Sequence, residues 1–402
     1  MPSAVASLTL AATLGLAPSV PTAQATPLTS RLDRAIDRAL AEHRIVGTVV
    51  LVAKDGKVVY HRAAGDADRE AHRPMREDSL FRLSSLTKAL VSTAALAMVE
   101  RHQLDLDDPV TKWIPTFKPK LADGTTPVIT VRHLVTHTAG LSYGFMESPD
   151  GPYHHAQVSD GLDAPGLAME ENLRRITSVP LSYAPGTRWG YSVATDVLGE
   201  VLARAAGVPL PQVVERFVTR PLGLKDTGFQ VRDVPRLAAA YANATPEPVR
   251  MGEEHVVAFG PSGVRYAPGR VFDPRSFASG GAGMVGTATD FMKFLEVLRQ
   301  GGGKVLTEST TRRMMVPQTA PETESLGPGW GFGLGVGVLV DPAKAHSPQP
   351  VGTVQWIGAY GHTWFIDPTN HLTVVALTNT AIEGMAGQFP NDIRDALYDA
   401  KQ

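Results

Sequence analysis

The strand-forming stretches of this chain sit at its two ends, and that division constrains the fold more than any other feature. Near the start, "GTVVLVAKDGKVVYHRAAG" (47–65) holds two β-branched runs around Asp55-Gly56, a hairpin signal. Near the end, "WGFGLGVGVLV", "VGTVQWIGAYG", "HTWFIDP" and "LTVVALTNT" read as four strands, with Asp367-Pro368-Thr369-Asn370 turning the third into the fourth. Before the hairpin, "PLTSRLDRAIDRALAEHRI" (27–45) places Leu32, Ile36, Ala39 and Leu40 on one helical stripe, with Ser30 as its expected cap. "FPNDIRDALYDA" closes the chain as another helix. Strands joined by short turns pair antiparallel, so both ends are expected to build one antiparallel sheet.

The section between the ends reads as helical. Leu86 to Gln103 is a long helix, and further helices are expected near 130–137, 167–177, 192–206 and 211–220. "TATDFMKFLEVLRQGG" is a helix capped by Thr289 or Thr287. At 402 residues the chain is long enough for two or three domains. A formal net charge of −2 without a basic cluster gives no electrostatic case for nucleic acid or an anionic membrane. With no cysteine, thiol nucleophiles and Cys-based zinc sites are excluded. Residues 4–17, "AVASLTLAATLGLA", followed by Ala23-Gln24-Ala25, are similar to a signal peptide covering 1–25 and cut before Thr26. Export to the periplasm or beyond is expected on that basis, although no Lys or Arg precedes Arg31; without export the protein is cytoplasmic.

Two serines compete as nucleophile. "GLSYG" (140–144) matches G-x-S-x-G around Ser142, but that elbow needs a strand entering and a helix leaving. Here "TVRHLVTHTAG" enters as a helix capped by Thr130, and "FMESPDGPYHH" leaves with two prolines. Ser142 is therefore rejected. Ser85 begins S-x-x-K with Lys88, and residues at i and i+3 share a helix face, so hydroxyl and amine become neighbours. No charged residue follows Lys88 until Glu100, which argues for a buried helix rather than a solvated one. An amine with an ordinary pKa of about 10.4 is a poor base until its surroundings disfavour the charged form or a second group relays the proton. Tyr191, just before the helix of "TRWGYSVATDVLGEVLARAAG", is the partner considered; on spacing alone, a tyrosine packed at a helix end explains it equally well.

In "SSLTK", "HLVTHTAGL", "APGTRWGYSVATDVLGEVL", "RPLGLKDTGF", "SGGAGMVGTATDFMKFL" and "GWGFGLGVGVL", taken in that order, the chain resembles the serine β-lactamase and penicillin-binding-protein family over roughly residues 30–400. It is most similar to class C β-lactamases and the related family VIII carboxylesterases. The resemblance implies an α+β fold: a mixed, mainly antiparallel sheet flanked by helices and built from 28–84 plus 285–402. A mainly helical domain from 85–284 completes it, with the active site between the two. It also implies acyl transfer through an acyl-enzyme on Ser85, with Lys88 and Tyr191 moving the proton. The N–H of Ser85 and, near Trp356-Ile357-Gly358, the N–H of Ala359 would form the oxyanion hole. No cofactor or metal is called for, and the partner is a small-molecule ester.

Departures from the lactamase pattern set the expected substrate. Val193 stands where class C enzymes place Asn after their tyrosine motif, and Trp356-Ile357-Gly358 replaces Lys-Thr-Gly. Val193 and Trp356 are expected to build an apolar wall, so a serine carboxylesterase for short to medium acyl esters is read ahead of a β-lactamase, D-amino peptidase or acyltransferase. A non-catalytic peptide- or cell-wall-binding homologue is the alternative from another class. Gly361-His362-Thr363 offers a second alignment of the third motif. His133 and His137 have i, i+4 spacing but lack the Glu of H-E-x-x-H and are read as structural, and His154-His155 as loop or cleft rim. The glycines of "GFGLGVGVLV" are read as allowing close packing on the sheet.

Overall fold

The computed structural model describes Met1 and residues 27–398, so the expected signal peptide lies outside the described residues. The hairpin forms as read, with β1 (Gly47–Lys54) and β2 (Lys57–Asp68) joined through Asp55 and Gly56, both at positive φ. An eight-stranded sheet runs in the order 330–332, 337–339, 354–358, 362–367, 372–378, β1, β2 and β3 (Arg73–Pro74). Every neighbouring pair in it is antiparallel. β1 lies against Leu372–Thr378, Val50 opposite Ala376, so the first hairpin completes the sheet begun by the last strands.

Two differences from the sequence reading have simple causes. "WGFGLGVGVLV" is not one strand but two, Trp330–Phe332 and Gly337–Leu339, folded back on each other. Gly335, at φ +91°, supplies a backbone conformation that side chains resist and lets the chain reverse. A Cβ there would lie 2.1 Å from Ser92 Oγ, so the glycine also permits close packing. The first helix, α1 (Leu28–Ala41), begins two residues before Ser30, which lies inside its first turn; Pro27 holds the N-cap position.

Both sheet faces are covered. Val50, Val52, Phe365 and Val374 pack on Leu32, Ile36 and Ala39 of α1 and on Phe389 and Ile393 of the closing helix Phe389–Tyr398. Val49, Leu51, Trp364 and Val375 face the other way, into a larger core with Phe291, Leu295 and the helix α2 (Thr87–Glu100). Every residue of α2 from Thr87 to Met98 is buried, as a helix apolar on all sides requires. The chain leaves the sheet region at Phe81–Arg82 and returns at Val285–Gly286, and these two short strands pair with each other. Helices occupy 131–135, 169–178, 194–206 and 210–214 as expected, and Thr287 caps Ala288–Arg299. Between them, Tyr241–Ala242 with Val249–Arg250, and His255–Val257 with Val264–Tyr266, form short strand pairs that the helical reading omitted. Among the described residues, no single helix is long and apolar enough to cross a membrane.

Candidate active site

Ser85 sits in a single 3₁₀ turn, Ser84–Leu86, immediately ahead of α2. Ser84 has φ +43°, a left-handed conformation that a non-glycine residue holds only when its surroundings enforce it. Those surroundings are tight. Leu83 N–H donates to Met284 O at 2.9 Å, and Tyr360 N–H donates to the Ser84 hydroxyl at 3.3 Å. A Cβ on Gly358 would fall 2.7 Å from Ser84 Oγ and 2.8 Å from Leu86 Cδ1, so the strand Val354–Gly358 presses directly on this turn.

One turn on, Lys88 is 1% exposed. Its Nζ donates to Ser85 Oγ at 3.3 Å and to Gly281 O at 2.8 Å. Tyr191 Oη donates to the same Ser85 Oγ at 2.7 Å, and Lys88 Nζ stands 4.7 Å from the centre of the Tyr191 ring. The i, i+3 reading and the more distant tyrosine thus meet at one hydroxyl. Tyr191 is delivered by the turn before the helix Ala194–Ala206, where Gly190 N–H donates to His137 O at 2.8 Å.

Ser142 has no such company. The chain reaches it from α3 (Val131–Val135) through Gly140 and continues into a short 3₁₀ turn, not into a helix. Its hydroxyl donates to the neighbouring Tyr143 O at 3.2 Å. His133 Nδ1 accepts the Thr130 N–H at 3.2 Å in a capping box. His137 is buried against Ser192 Oγ (3.3 Å) and Thr195 Oγ1 (3.4 Å); burial first, then the neighbouring Lys88, holds it well below the usual histidine range and therefore neutral. Among the described residues no group of three or more His, Asp or Glu could hold a metal ion. His154 and His155 end a short helix, with His154 Nε2 3.0 Å from Ser262 Oγ.

A cavity of about 220 Å³ opens on Ser85. Trp356, Ile357 and Ala359 line it, whereas none of Gly361, His362 and Thr363 does. His362 is instead buried against Arg82 O, 2.8 Å from Nε2, which favours the Trp356-Ile357-Gly358 alignment. Two expectations need correction. Gly358 is not among the lining residues; its place is the close approach to Ser84 described above. Val193 is fully buried in the core and also does not line the cavity, so the apolar wall is made by Trp356 with Tyr143, Phe145 and Trp189.

Several site groups were not anticipated. Gly281 lends a backbone carbonyl to Lys88, and Asp196 holds the same residue from its other side: its Oδ1 accepts the Ser279 hydroxyl at 2.5 Å and the Gly281 N–H at 3.2 Å. Burial pushes the Asp196 carboxyl up, while the Ser279 hydrogen bond and the Lys88 ammonium oppose that shift. Tyr143, buried and pushed well up by burial, stacks on Phe145 and lies 5.0 Å from the Tyr191 ring. Asp160 lines the cavity, and its Oδ1 accepts the Gly144 N–H at 3.0 Å. The quoted segments "SGGAGMVGT" and "YSVATDV" contain Gly281 and Asp196, but nothing in their spacing says that they meet.

Residues 32–397 match the Beta-lactamase family. Esterase EstB of Burkholderia gladioli is 48% identical over 387 residues, spanning 95% of this chain and 98% of that protein. The solved structure of EstCE1, a hydrolase with promiscuous acyltransferase activity, superimposes with a TM-score of 0.89 at 46% identity, covering 92% of this chain and 98% of that one. The unliganded selenomethionyl Simvastatin Synthase (LovD) of Aspergillus terreus shares the fold with a TM-score of 0.74 at 23% identity, covering 94% and 100%.

Proposed function

The chain belongs to the Beta-lactamase family, as a serine hydrolase of the carboxylesterase kind, and from that premise we propose that it cleaves short to medium acyl esters through an acyl-enzyme on Ser85. One observation carries the assignment of the nucleophile: the Ser85 hydroxyl receives both the Tyr191 phenol at 2.7 Å and the Lys88 amine at 3.3 Å. In the first half-reaction Ser85 Oγ bonds to the ester carbonyl carbon while its proton passes to the Tyr191–Lys88 pair. The carbon–oxygen bond to the alcohol then breaks, and the alcohol leaves with that proton. Water repeats the sequence on the acyl-serine and releases the acid. The backbone N–H groups of Ser85 and Ala359 receive the developing oxyanion, a role worth roughly 3–4 kcal/mol per donor where it has been measured. The apolar cavity, with Trp356 in place of a lysine, supports esters over carboxylated lactams.

The test is a p-nitrophenyl ester series of rising chain length, run on wild type beside Ser85→Ala, with mass spectrometry of the acylated protein. Ester-derived mass on the Ser85 peptide is the expected result. Its absence would instead favour a non-catalytic binding protein, and nitrocefin turnover matching that of p-nitrophenyl butyrate would favour a lactamase. A second reading, transfer of the acyl group to an added alcohol, draws support from the activity named for EstCE1; ester products formed in the presence of alcohol would reveal it. Export, with removal of residues 1–25, is part of this proposal and is checked by N-terminal sequencing of the protein from its native host.

A further inference from the structure

We propose that the cavity beside Ser85 takes esters bearing an ammonium group, held by Asp160 inside a wall of aromatic rings. The inference rests on the esterase reading above and names its substrate class. The charged side chains lining the cavity are Asp160 and Glu324; among the described residues no Lys, Arg or His lines it. Six rings do: Tyr143, Phe145, Trp189, Tyr191, Phe259 and Trp356. The face of an aromatic ring carries negative potential and attracts a cation, most strongly where water is excluded.

Asp160 is 8% exposed, and it is held by backbone N–H groups, Gly144 to Oδ1 at 3.0 Å and Phe145 beside it, with no cationic side chain bonded to it among the described residues. Arg270, which interacts with Asp163 and Asp196, donates to the carbonyls of Asp163 and Phe277 and not to Asp160. A carboxylate so placed lacks a counter-charge, and burying one unpaired is expensive. Burial, then the Asp163 carboxylate, push the Asp160 carboxyl up to about 8, against the pull of the Gly144 and Phe145 N–H groups. An ammonium group on the substrate supplies the missing charge. Glu324 is exposed at the mouth, where its charge draws cations in and turns carboxylates away. A clamp on the Gly144 and Phe145 backbone accounts for the hydrogen bonds, but not for an acid facing an aromatic cavity whose neighbouring cation, Lys88, is taken up by Ser85 and Gly281.

Two pairs of esters that differ by nitrogen against carbon test this directly. One pair carries the charge on the alcohol, butyrylcholine against 3,3-dimethylbutyl butyrate. The other carries it on the acyl group, the p-nitrophenyl esters of 4-(trimethylammonio)butanoic and 5,5-dimethylhexanoic acids. Wild type should favour the cationic member of at least one pair by about tenfold or more in kcat/KM, and Asp160→Asn should bring that ratio to near unity. Glu324→Gln should lower the ratio by a smaller factor, chiefly at low ionic strength. Ratios within about threefold of unity in both pairs, with p-nitrophenyl butyrate still hydrolysed through Ser85, would overturn the inference and leave the esterase reading intact. A ratio untouched by Asp160→Asn overturns it equally. If neither member of either pair is hydrolysed, nor p-nitrophenyl butyrate, both readings fall together. Should Asp160→Asn fail to fold, the wild-type ratios and Glu324→Gln decide.

Discussion

Ser85 is approached from two directions, by an amine fixed one turn away and by a phenol carried in by a separate segment, so the two partners can be removed independently. Ser85→Ala should abolish ester turnover, by about 10⁴-fold or more. Tyr191→Phe keeps the ring contacts and removes only the hydroxyl, so kcat should fall by about 10²–10⁴-fold, the range of general acid–base help. Ser142→Ala should leave turnover within about twofold, since the lost hydroxyl bonds the adjacent Tyr143 carbonyl and no reacting group. Asp196 acts at one remove. It holds the Gly281 N–H, and the Gly281 carbonyl on the other side of that residue holds Lys88. Asp196→Ala should therefore loosen the amine and lower kcat by about 10²-fold, the scale of a 1 Å misplacement, while KM changes little. Steady-state kinetics on the four variants with one neutral ester separate these outcomes. The Ser85–Lys88 neighbourhood was legible because it is local: spacing alone put both groups on one face. Tyr191 needed the resemblance, and Gly281 and Asp160 were invisible because a backbone carbonyl has no sequence signature and a carboxylate 75 residues from the nucleophile has no fixed register with it.

Among the elements, the strand Val354–Gly358 and the turn Ser84–Leu86 depend most closely on each other. Gly358 is what lets them touch, since a methyl group there meets Ser84 Oγ at 2.7 Å, Leu86 Cδ1 at 2.8 Å and Leu83 O at 3.0 Å. Gly358→Ala should destabilise the protein by about 1–3 kcal/mol through overpacking and reduce turnover as well, because the displaced turn carries Ser85. Gly228→Ala is the matched control: nothing lies within 4 Å of its added carbon, so stability should stay within about 0.5 kcal/mol. Thermal melts of the two variants, read beside ester turnover, check both statements. The same contrast between local and distant information explains the elements that were read well. α1 announces itself through its apolar stripe, the β1–β2 hairpin through two β-branched runs around Asp55-Gly56, and α2 through a long uncharged stretch. The strand Tyr241–Ala242 is two residues long, too short for any alternation to show, and one of its partners, Thr380–Ala381, lies more than a hundred residues away.

The molecule as a whole buries ionisable groups whose pH dependences oppose one another. Burial holds His362 down at about 4 and His137 well below its usual range, so the unfolded chain binds more protons than the folded one between about pH 4 and 6.5. Stability from these histidines is present above that window and is lost as the pH falls through it. Asp160 works in the other direction. Its folded carboxyl titrates at about 8 because of burial and the Asp163 carboxylate, whereas an unfolded aspartate titrates near 3.9. Between those values the unfolded state has already released the proton that the folded state keeps, so stability is full below about pH 4 and declines as the pH rises toward 8. A single melt against pH would mix the two trends. The difference between Asp160→Asn and wild type separates them, because both proteins carry the same histidines and asparagine keeps an oxygen for the Gly144 N–H. The melting-temperature gain of the variant should grow steadily from about pH 4 to about pH 8 and then level off. Differential scanning calorimetry across that range gives the curve. A flat difference would mean that Asp160 is ionised in the folded empty cavity, already neutralised by a charge within the protein.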